Sequence, residues 1–203
     1  MRHAILTLAT TGLALAVAGC DNKASPDLAA AQNGVDNVSD ATANIIANSA
    51  ADVQEAVTPT PTGQDFADKA AKSDAFEIAA AKLAQEKAGS ADIKSFAAMM
   101  IKDHTASTAK IKQAAAEATP KITPDPTLTA DQTGKLDALR KLSGADFDKE
   151  YASQQVDAHK EALALMQLYA DKGEVLPLKT AAAAIAPTVQ THLEKITAIN
   201  NGQ

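Results

Sequence analysis

The sequence contains no tryptophan, a single cysteine and few aromatic residues, which make up 3% of its 203 positions. One cysteine excludes an intramolecular disulfide and any metal site built on several thiolates. Valine and isoleucine never alternate with polar residues over a useful length, so no β-strand is predicted. Nucleophilic triads and glycine-rich phosphate-binding loops are absent as well. These absences favour a non-catalytic protein over an enzyme.

Positive charge is scarce too. Lysine and arginine number 19 against 25 aspartate and glutamate residues, and the formal net charge is −6 at pH 7. An acidic chain without tryptophan or a basic stripe is poorly suited to bind nucleic acid or an anionic lipid surface. We therefore expect no nucleic-acid partner, and no residue pattern points to a particular protein partner.

Residues 1–19 have the features of an export signal. Arg2 precedes an apolar run from Ala4 to Ala18, which is shorter than the about 20 residues that a bilayer-spanning helix needs. The run leads into Val17-Ala18-Gly19-Cys20, which resembles the lipobox of bacterial lipoproteins. That resemblance implies cleavage before Cys20, acylation of its thiol and contact with the membrane through the lipid anchor. An ordinary signal peptide that contains a cysteine is the alternative.

Residues 20–62 are expected to form a lipidated, flexible tether, because they are rich in alanine and small polar residues and contain no aromatic side chain. The segment closes with Thr58-Pro59-Thr60-Pro61-Thr62, which is typical of an extended spacer. The expected location is the periplasm or cell envelope, at the inner or the outer membrane. By analogy with enterobacterial lipoproteins, Asp21 favours the inner membrane.

Residues 63–203 are predicted to form one all-α domain. The hydrophobic period indicates long helices over about 64–88, 90–118, 146–172 and 177–200, and a short helix over about 130–142. Gly89 is expected to end the first helix, whereas Thr129 and Gln132 form a capping-box pattern for the short one. Short, long and short connections between the long helices predict a four-helix bundle, with the short helix in its long connection.

Three histidines lie near the middle of three different predicted long helices. They are His104, His159 and His192, and Glu77 takes the matching position in the remaining long helix. Each of the four lies at the centre of an apolar stripe, where an unpaired charge is costly. Each also lies about 18–26 Å from the end of its helical hairpin at the usual rise per residue. The four side chains are therefore predicted to meet at one level of the bundle.

Such a group can bind a metal ion. Three imidazoles and the Glu77 carboxylate would complete a tetrahedral shell for zinc, or would hold copper or iron with an open position. A metal-free buried polar network, in which Glu77 pairs with the rings, is the alternative. Asp103 falls one residue off its stripe and Asp157 lies on the face opposite His159, so neither is predicted as a ligand. Met100 and Met166 also face inward, where sulfur would favour copper but core packing is the ordinary role.

Several of these elements occur together in one known family. The elements are Phe66 through Ala70 with Glu77, Met100-Ile101-Lys102-Asp103-His104, Phe147-Asp148-Lys149-Glu150-Tyr151 with Asp157-Ala158-His159, and Ala186-Pro187 through His192-Leu193. In this order, over about Gln64 to Asn200, they resemble the bacterial domain-of-unknown-function family 4142. The resemblance implies a ferritin-like four-helix bundle in an exported, often lipid-anchored protein, and it brings no established activity.

Di-iron members of the wider ferritin-like group use Glu-x-x-His pairs, and this sequence contains none. A ferroxidase or iron-storage role is therefore not expected, even with a shared fold. The sequence favours an exported cell-envelope lipoprotein of unknown specific role, with a mid-bundle histidine and glutamate site that has the ligands to bind one metal ion. The alternatives are a metal-dependent redox or stress-protection enzyme and a metal-free structural or partner-binding bundle.

Overall fold

The computed structural model describes residues 59–202, and this range contains five helices and no strand. The helices are α1 (Gly63–Lys87), α2 (Ala91–Glu117), α3 (Ala130–Arg140), α4 (Gly144–Lys172) and α5 (Leu176–Asn201). The prediction of an all-helical domain with four long helices and one short helix is confirmed. The expected signal peptide, Cys20 and most of the expected tether lie outside the described residues. Within the described range, no helix combines the length and the apolar character needed to cross a membrane.

Side-chain caps begin helices α1, α2 and α3, each close to the start that the sequence predicted. The Thr62 hydroxyl accepts a hydrogen bond from the Asp65 backbone at the start of α1. Ser90 accepts from two backbone N–H groups at the start of α2. At the start of α3, Thr129 and Gln132 exchange hydrogen bonds of 3.1 and 3.0 Å, which is the predicted capping box. Each cap satisfies N–H groups that have no partner within the helix.

The turn between α1 and α2 differs from the prediction that Gly89 caps α1. The helix ends one residue earlier, and Ala88 takes the extended C-cap position. A Cβ on Gly89 would lie 3.1 Å from the Gly144 Cα, so glycine is needed here for close contact with the start of α4. The Asp148 carboxylate accepts hydrogen bonds from the Gly89 and Ser90 N–H groups, at 3.1 and 2.8 Å. This side chain therefore ties the α1–α2 turn to α4.

The four long helices surround a shared core. Helix α1 packs against α2 and α4, and α5 packs against the same two helices. The short helix α3 lies against α1 and α4. Every long helix therefore has two long neighbours, and an inward side chain from each can reach a common interior.

That interior contains two apolar clusters. Cluster A includes Phe76, Phe96, Phe147, Tyr151 and Ile196, and cluster B includes Phe66, Ile111, Met166, Tyr169 and Ile185. The chain passes from one cluster to the other within residues 70–76 of α1, 100–111 of α2, 156–162 of α4 and 189–196 of α5. Each of the last three intervals contains one of the predicted histidines. The histidines therefore form a polar layer between two apolar halves of the core.

Candidate metal centre

His104 of α2, His159 of α4 and His192 of α5 meet in this polar layer. One ring nitrogen of each lies within 4.8 Å of the corresponding nitrogens of the other two. The ring centroids are 5.5–5.8 Å apart. All three residues are buried, with exposures of 4%, 1% and 1%. Three different helices thus bring three imidazoles close together.

On each ring, a hydrogen-bond acceptor holds one nitrogen, which we call the outer nitrogen, and the other is the inner nitrogen. A carboxylate or carbonyl oxygen accepts but does not donate, so the ring nitrogen at each contact carries the proton. This fixes the tautomer and the orientation of all three neutral rings. The contacts are His104 Nδ1 to Asp74 Oδ1 at 2.8 Å, His159 Nδ1 to the Gln155 carbonyl oxygen at 2.7 Å, and His192 Nε2 to Asp103 Oδ2 at 3.0 Å.

The opposite nitrogens have no hydrogen-bond partner. They are His104 Nε2, His159 Nε2 and His192 Nδ1, and all three atoms are buried. Because a neutral imidazole has one proton, and the outer nitrogen carries it, each inner nitrogen presents a lone pair. Three lone pairs without a donor cannot satisfy one another, whereas buried polar atoms in folded proteins nearly always have a partner. A metal cation coordinated by all three nitrogens would give each lone pair a partner.

The pKa values of the three rings diverge. Burial and the positive charge of His104 lower the pKa of His159 to about 3. Burial also lowers the pKa of His192, although its hydrogen bond to Asp103 opposes the shift. At His104, burial acts in the same direction, but the hydrogen bond to Asp74 and the charge of Glu77 outweigh it and raise the pKa above 6.5. His104 is therefore the ring that competes most strongly for a proton.

Glu77 is buried beside this group but does not join it. Its carboxylate oxygens lack a hydrogen-bond partner, and the set of ligand atoms within 4.8 Å of one another contains the three histidines alone among the described residues. Burial raises the pKa of Glu77 to about 7, against the opposing effects of His104 and the Gln155 side chain. On α1, the level between the two clusters is occupied by Asp74, and Glu77 lies about 4.5 Å further along the axis. Its role as a ligand stays a prediction.

Asp74 and Asp103 are the functional residues that the sequence patterns did not identify. Asp74 lies one helical turn before Glu77, on a similar face of α1, and this spacing was the available signal. Asp103 precedes His104 directly, and the helical projection placed it off the inner stripe. Its side chain nevertheless reaches across to His192 on α5. A projection made one helix at a time cannot show a contact between neighbouring helices.

Apolar side chains enclose the layer on both sides. The Phe96 ring packs edge-on against His159 and His192, with centroid distances of 6.1 and 6.3 Å. Met100 is buried in cluster A and Met166 in cluster B. These neighbours lower the local dielectric constant, which makes unpaired lone pairs more costly.

Comparison with known proteins places the sequence in a family. Residues 47–199, which are more than half of the chain, match the family described as "Domain of unknown function (DUF4142)". The chain belongs to this family. The resemblance noted from the sequence motifs is thereby confirmed, and the three histidines, Asp74 and Asp103 all lie within the DUF4142 region. No curated protein matches the sequence.

The DUF4142 chain is similar in structure to CopM. The match to CopM in the Cu(I)-bound form has a TM-score of 0.58 and 17% sequence identity, and covers 70% of this chain and 97% of that one. The match to CopM in the Cu(II)-bound form has a TM-score of 0.60 and 19% identity, and covers 71% and 99%. At such low identity the similarity extends to the helical fold alone.

Proposed function

We propose that this DUF4142 protein binds one copper ion between His104, His159 and His192. The observation that carries the proposal is the grouping of three buried histidines, each of which has one ring nitrogen with a lone pair and no hydrogen-bond donor. Neutral imidazole is a good ligand for zinc, copper and iron, and divalent copper binds most tightly to a given nitrogen site. The structurally similar CopM is a copper-bound protein in both solved structures, which favours copper among the three metals.

The surroundings of the rings suit a metal centre. Asp74, Asp103 and the Gln155 carbonyl hold the outer nitrogens, and such partners orient ligating imidazoles and increase their basicity. Glu77 is buried close enough to alter the pKa of His104, so its carboxylate would balance the charge of a bound cation or serve as a fourth ligand. Copper, when bound, supplies one-electron redox chemistry.

A binding role is favoured over catalysis. The cavity that borders His104 and His192 has a volume of about 20 Å³, whereas pockets for organic substrates usually measure about 300–1,000 Å³. A larger cavity of about 410 Å³ is lined by residues of α1, α3 and α4 and by Thr129, the N-cap of α3. None of the three histidines lines this cavity. The centre therefore has space for an ion and very small molecules.

We further propose that the domain is a ferritin-like four-helix bundle and that the protein is an exported lipoprotein of the cell envelope. The all-helical core with two long neighbours for every long helix supports the bundle. The apolar run before Cys20 and the lipobox-like residues around it support export and lipid attachment. Copper binding in the periplasm, by a protein anchored at the inner or the outer membrane, is the combined proposal.

Metal uptake by protein refolded from a chelated state tests the centre. We expect about one equivalent of copper to bind, and the bound form to melt at a higher temperature. A free copper concentration 1,000 times the dissociation constant would add about 4 kcal/mol to the free energy of unfolding. Parallel titrations with Zn²⁺ and Fe²⁺ test the choice of metal. Uptake of none of the three would rule out the metal centre, and tighter binding of Zn²⁺ than of copper would contradict the copper assignment.

A further inference from the structure

A cavity of about 20 Å³ borders the polar layer, and residues of all four long helices line it. Its lining includes His104 and His192 as well as Asp103, Ser107 and Thr188. The two rings are buried, with exposures of 4% and 1%. The Asp103 side chain is 27% exposed, and Thr188 is exposed. The same small space is therefore bordered by buried ligand residues at one end and by exposed residues at the other.

The cavity is large enough for one ion or one water molecule. A single water needs about 10–15 Å³ of such space, so an organic molecule does not fit. Within the lining, the buried Ser107 hydroxyl has no hydrogen-bond partner. This hydroxyl and the Asp103 carboxylate provide oxygen atoms along the space, and oxygen atoms can replace part of the hydration shell of a cation.

Buried apolar side chains cover much of the rest of the centre. Phe96 covers His159 and His192 from cluster A. His159 is 1% exposed and does not line this cavity. Met166 and the other side chains of cluster B fill the core beyond the histidine layer. Within the lining, Thr188 is exposed and Asp103 and Ser73 are half-buried, so the most open path for a cation to the rings passes Thr188 and Asp103.

We propose that this cavity is the passage through which the metal ion reaches the three-histidine centre, with Asp103 as the carboxylate that receives the ion at the surface. The proposal rests on the proposed function, since it assumes that the centre binds a metal. Asp103 has two roles in it: its charge attracts the cation, and its hydrogen bond holds His192 in the orientation that the bound ion requires. Ser107 lines the same space and provides a hydroxyl oxygen to the ion in transit.

The rate of copper loading tests the passage. Metal-free full-length protein is mixed with Cu²⁺ in a stopped-flow instrument, and association and dissociation rates are measured. In Thr188→Phe, a large ring covers the opening without entering the core. We expect both rates to fall at least fivefold and the dissociation constant to change less than twofold, because a blocked path slows both directions equally. The matched control is Thr191→Phe, since Thr191 is also exposed on α5 and does not line the cavity.

Two further variants examine the interior and the charge. Ser107→Val narrows the passage and should slow both rates, provided that its melting temperature shows a folded protein. Asp103→Asn removes the charge, so association should slow at least threefold and lose most of its dependence on salt concentration. If the wild type binds copper but Thr188→Phe and Thr191→Phe load at the wild-type rate, the passage is wrong and the centre stands. If the wild type takes up no metal, both proposals fail.

Discussion

His192 on α5 is held by Asp103 on α2, with Nε2 and Oδ2 3.0 Å apart across 89 positions of sequence. A second carboxylate, Asp74 of α1, holds His104 in the same way at 2.8 Å. Each contact joins neighbouring helices and leaves the other nitrogen of its ring unprotonated and without a hydrogen-bond partner. The orientation of these two rings is thus a property of helix packing, and the predictions below concern the contacts that produce it.

His104→Ala and His159→Ala should each weaken copper binding at least tenfold, because each removes one of three ligands. The loss is measured by competition with a chelator of known affinity. Asp157→Ala is the matched control, since Asp157 is exposed on the same helix as His159 and should leave the affinity unchanged. An equal loss in the control would show that the inner face of α4 has been assigned incorrectly.

Asp74→Asn should lower the pKa of His104 in the metal-free protein. Burial lowers this pKa, whereas the hydrogen bond to Asp74 and the charges of Glu77 and Asp74 raise it. Removal of the Asp74 charge leaves less to oppose the effect of burial, so the pKa of His104 should fall. The pKa is measured by NMR titration of the ring. Thr108→Ala serves as a control, because it removes the other hydrogen bond to Asp74 and keeps the carboxylate. An unchanged His104 pKa in Asp74→Asn would contradict the contact.

Copper affinity should decrease as the pH falls. The metal needs an unprotonated His104, and the pKa of this ring lies above 6.5. Binding is therefore unhindered above that pKa and weakens about tenfold for each pH unit below it. His159, with a pKa of about 3, does not compete in this range. Competition titrations between about pH 5.5 and 8.5 measure the slope, and an affinity that does not change with pH would exclude His104 as a ligand.

Glu77→Gln should stabilise the metal-free protein at alkaline pH. Burial raises the pKa of Glu77 from 4.5 to about 7, so the folded state binds this proton more tightly than the unfolded chain does. Stability from this group is present below pH 4.5 and is lost as the pH rises through 7. At pH 8 the variant should be more stable by up to about 3 kcal/mol, and at pH 4 it should equal the wild type.

Urea denaturation at several pH values measures this difference. Glu86→Gln is the control, because Glu86 is exposed on the same helix, and it should show no comparable change. A Glu77→Gln protein that is less stable than the wild type at pH 8 would mean that the carboxylate is charged and well paired in the folded state.

Cys20→Ser should release the protein from the membrane fraction, because the proposed lipid is attached to this thiol. Fractionation of cells that express the wild type or the variant provides the measurement. A serine variant that stays with the membrane would show that acylation of Cys20 does not anchor the protein. Copper binding by the purified variant should be unaffected, since the three histidines belong to the domain that begins at residue 63.

The helices and their caps could be predicted because they depend on residues close in sequence. The 3.6-residue period places apolar side chains on one face, and the Thr129–Gln132 capping box involves positions three residues apart. The level of each histidine was also predictable by counting residues from the hairpin ends. Such a count is good to about one turn, and it did not identify Asp74, three residues before Glu77, which contacts His104.

The sequence by itself therefore determined the all-helical domain, its family and the three histidines on inner faces, since these follow from local periodicity and from recognisable motifs. Only the tertiary structure decided which nitrogen of each ring has no hydrogen-bond partner, that Asp74 and Asp103 orient His104 and His192, and that Gly89 allows close contact with α4. The physical reason is that these features depend on the register and lateral distance between helices. Those quantities are set by packing across the core, and no local pattern encodes them.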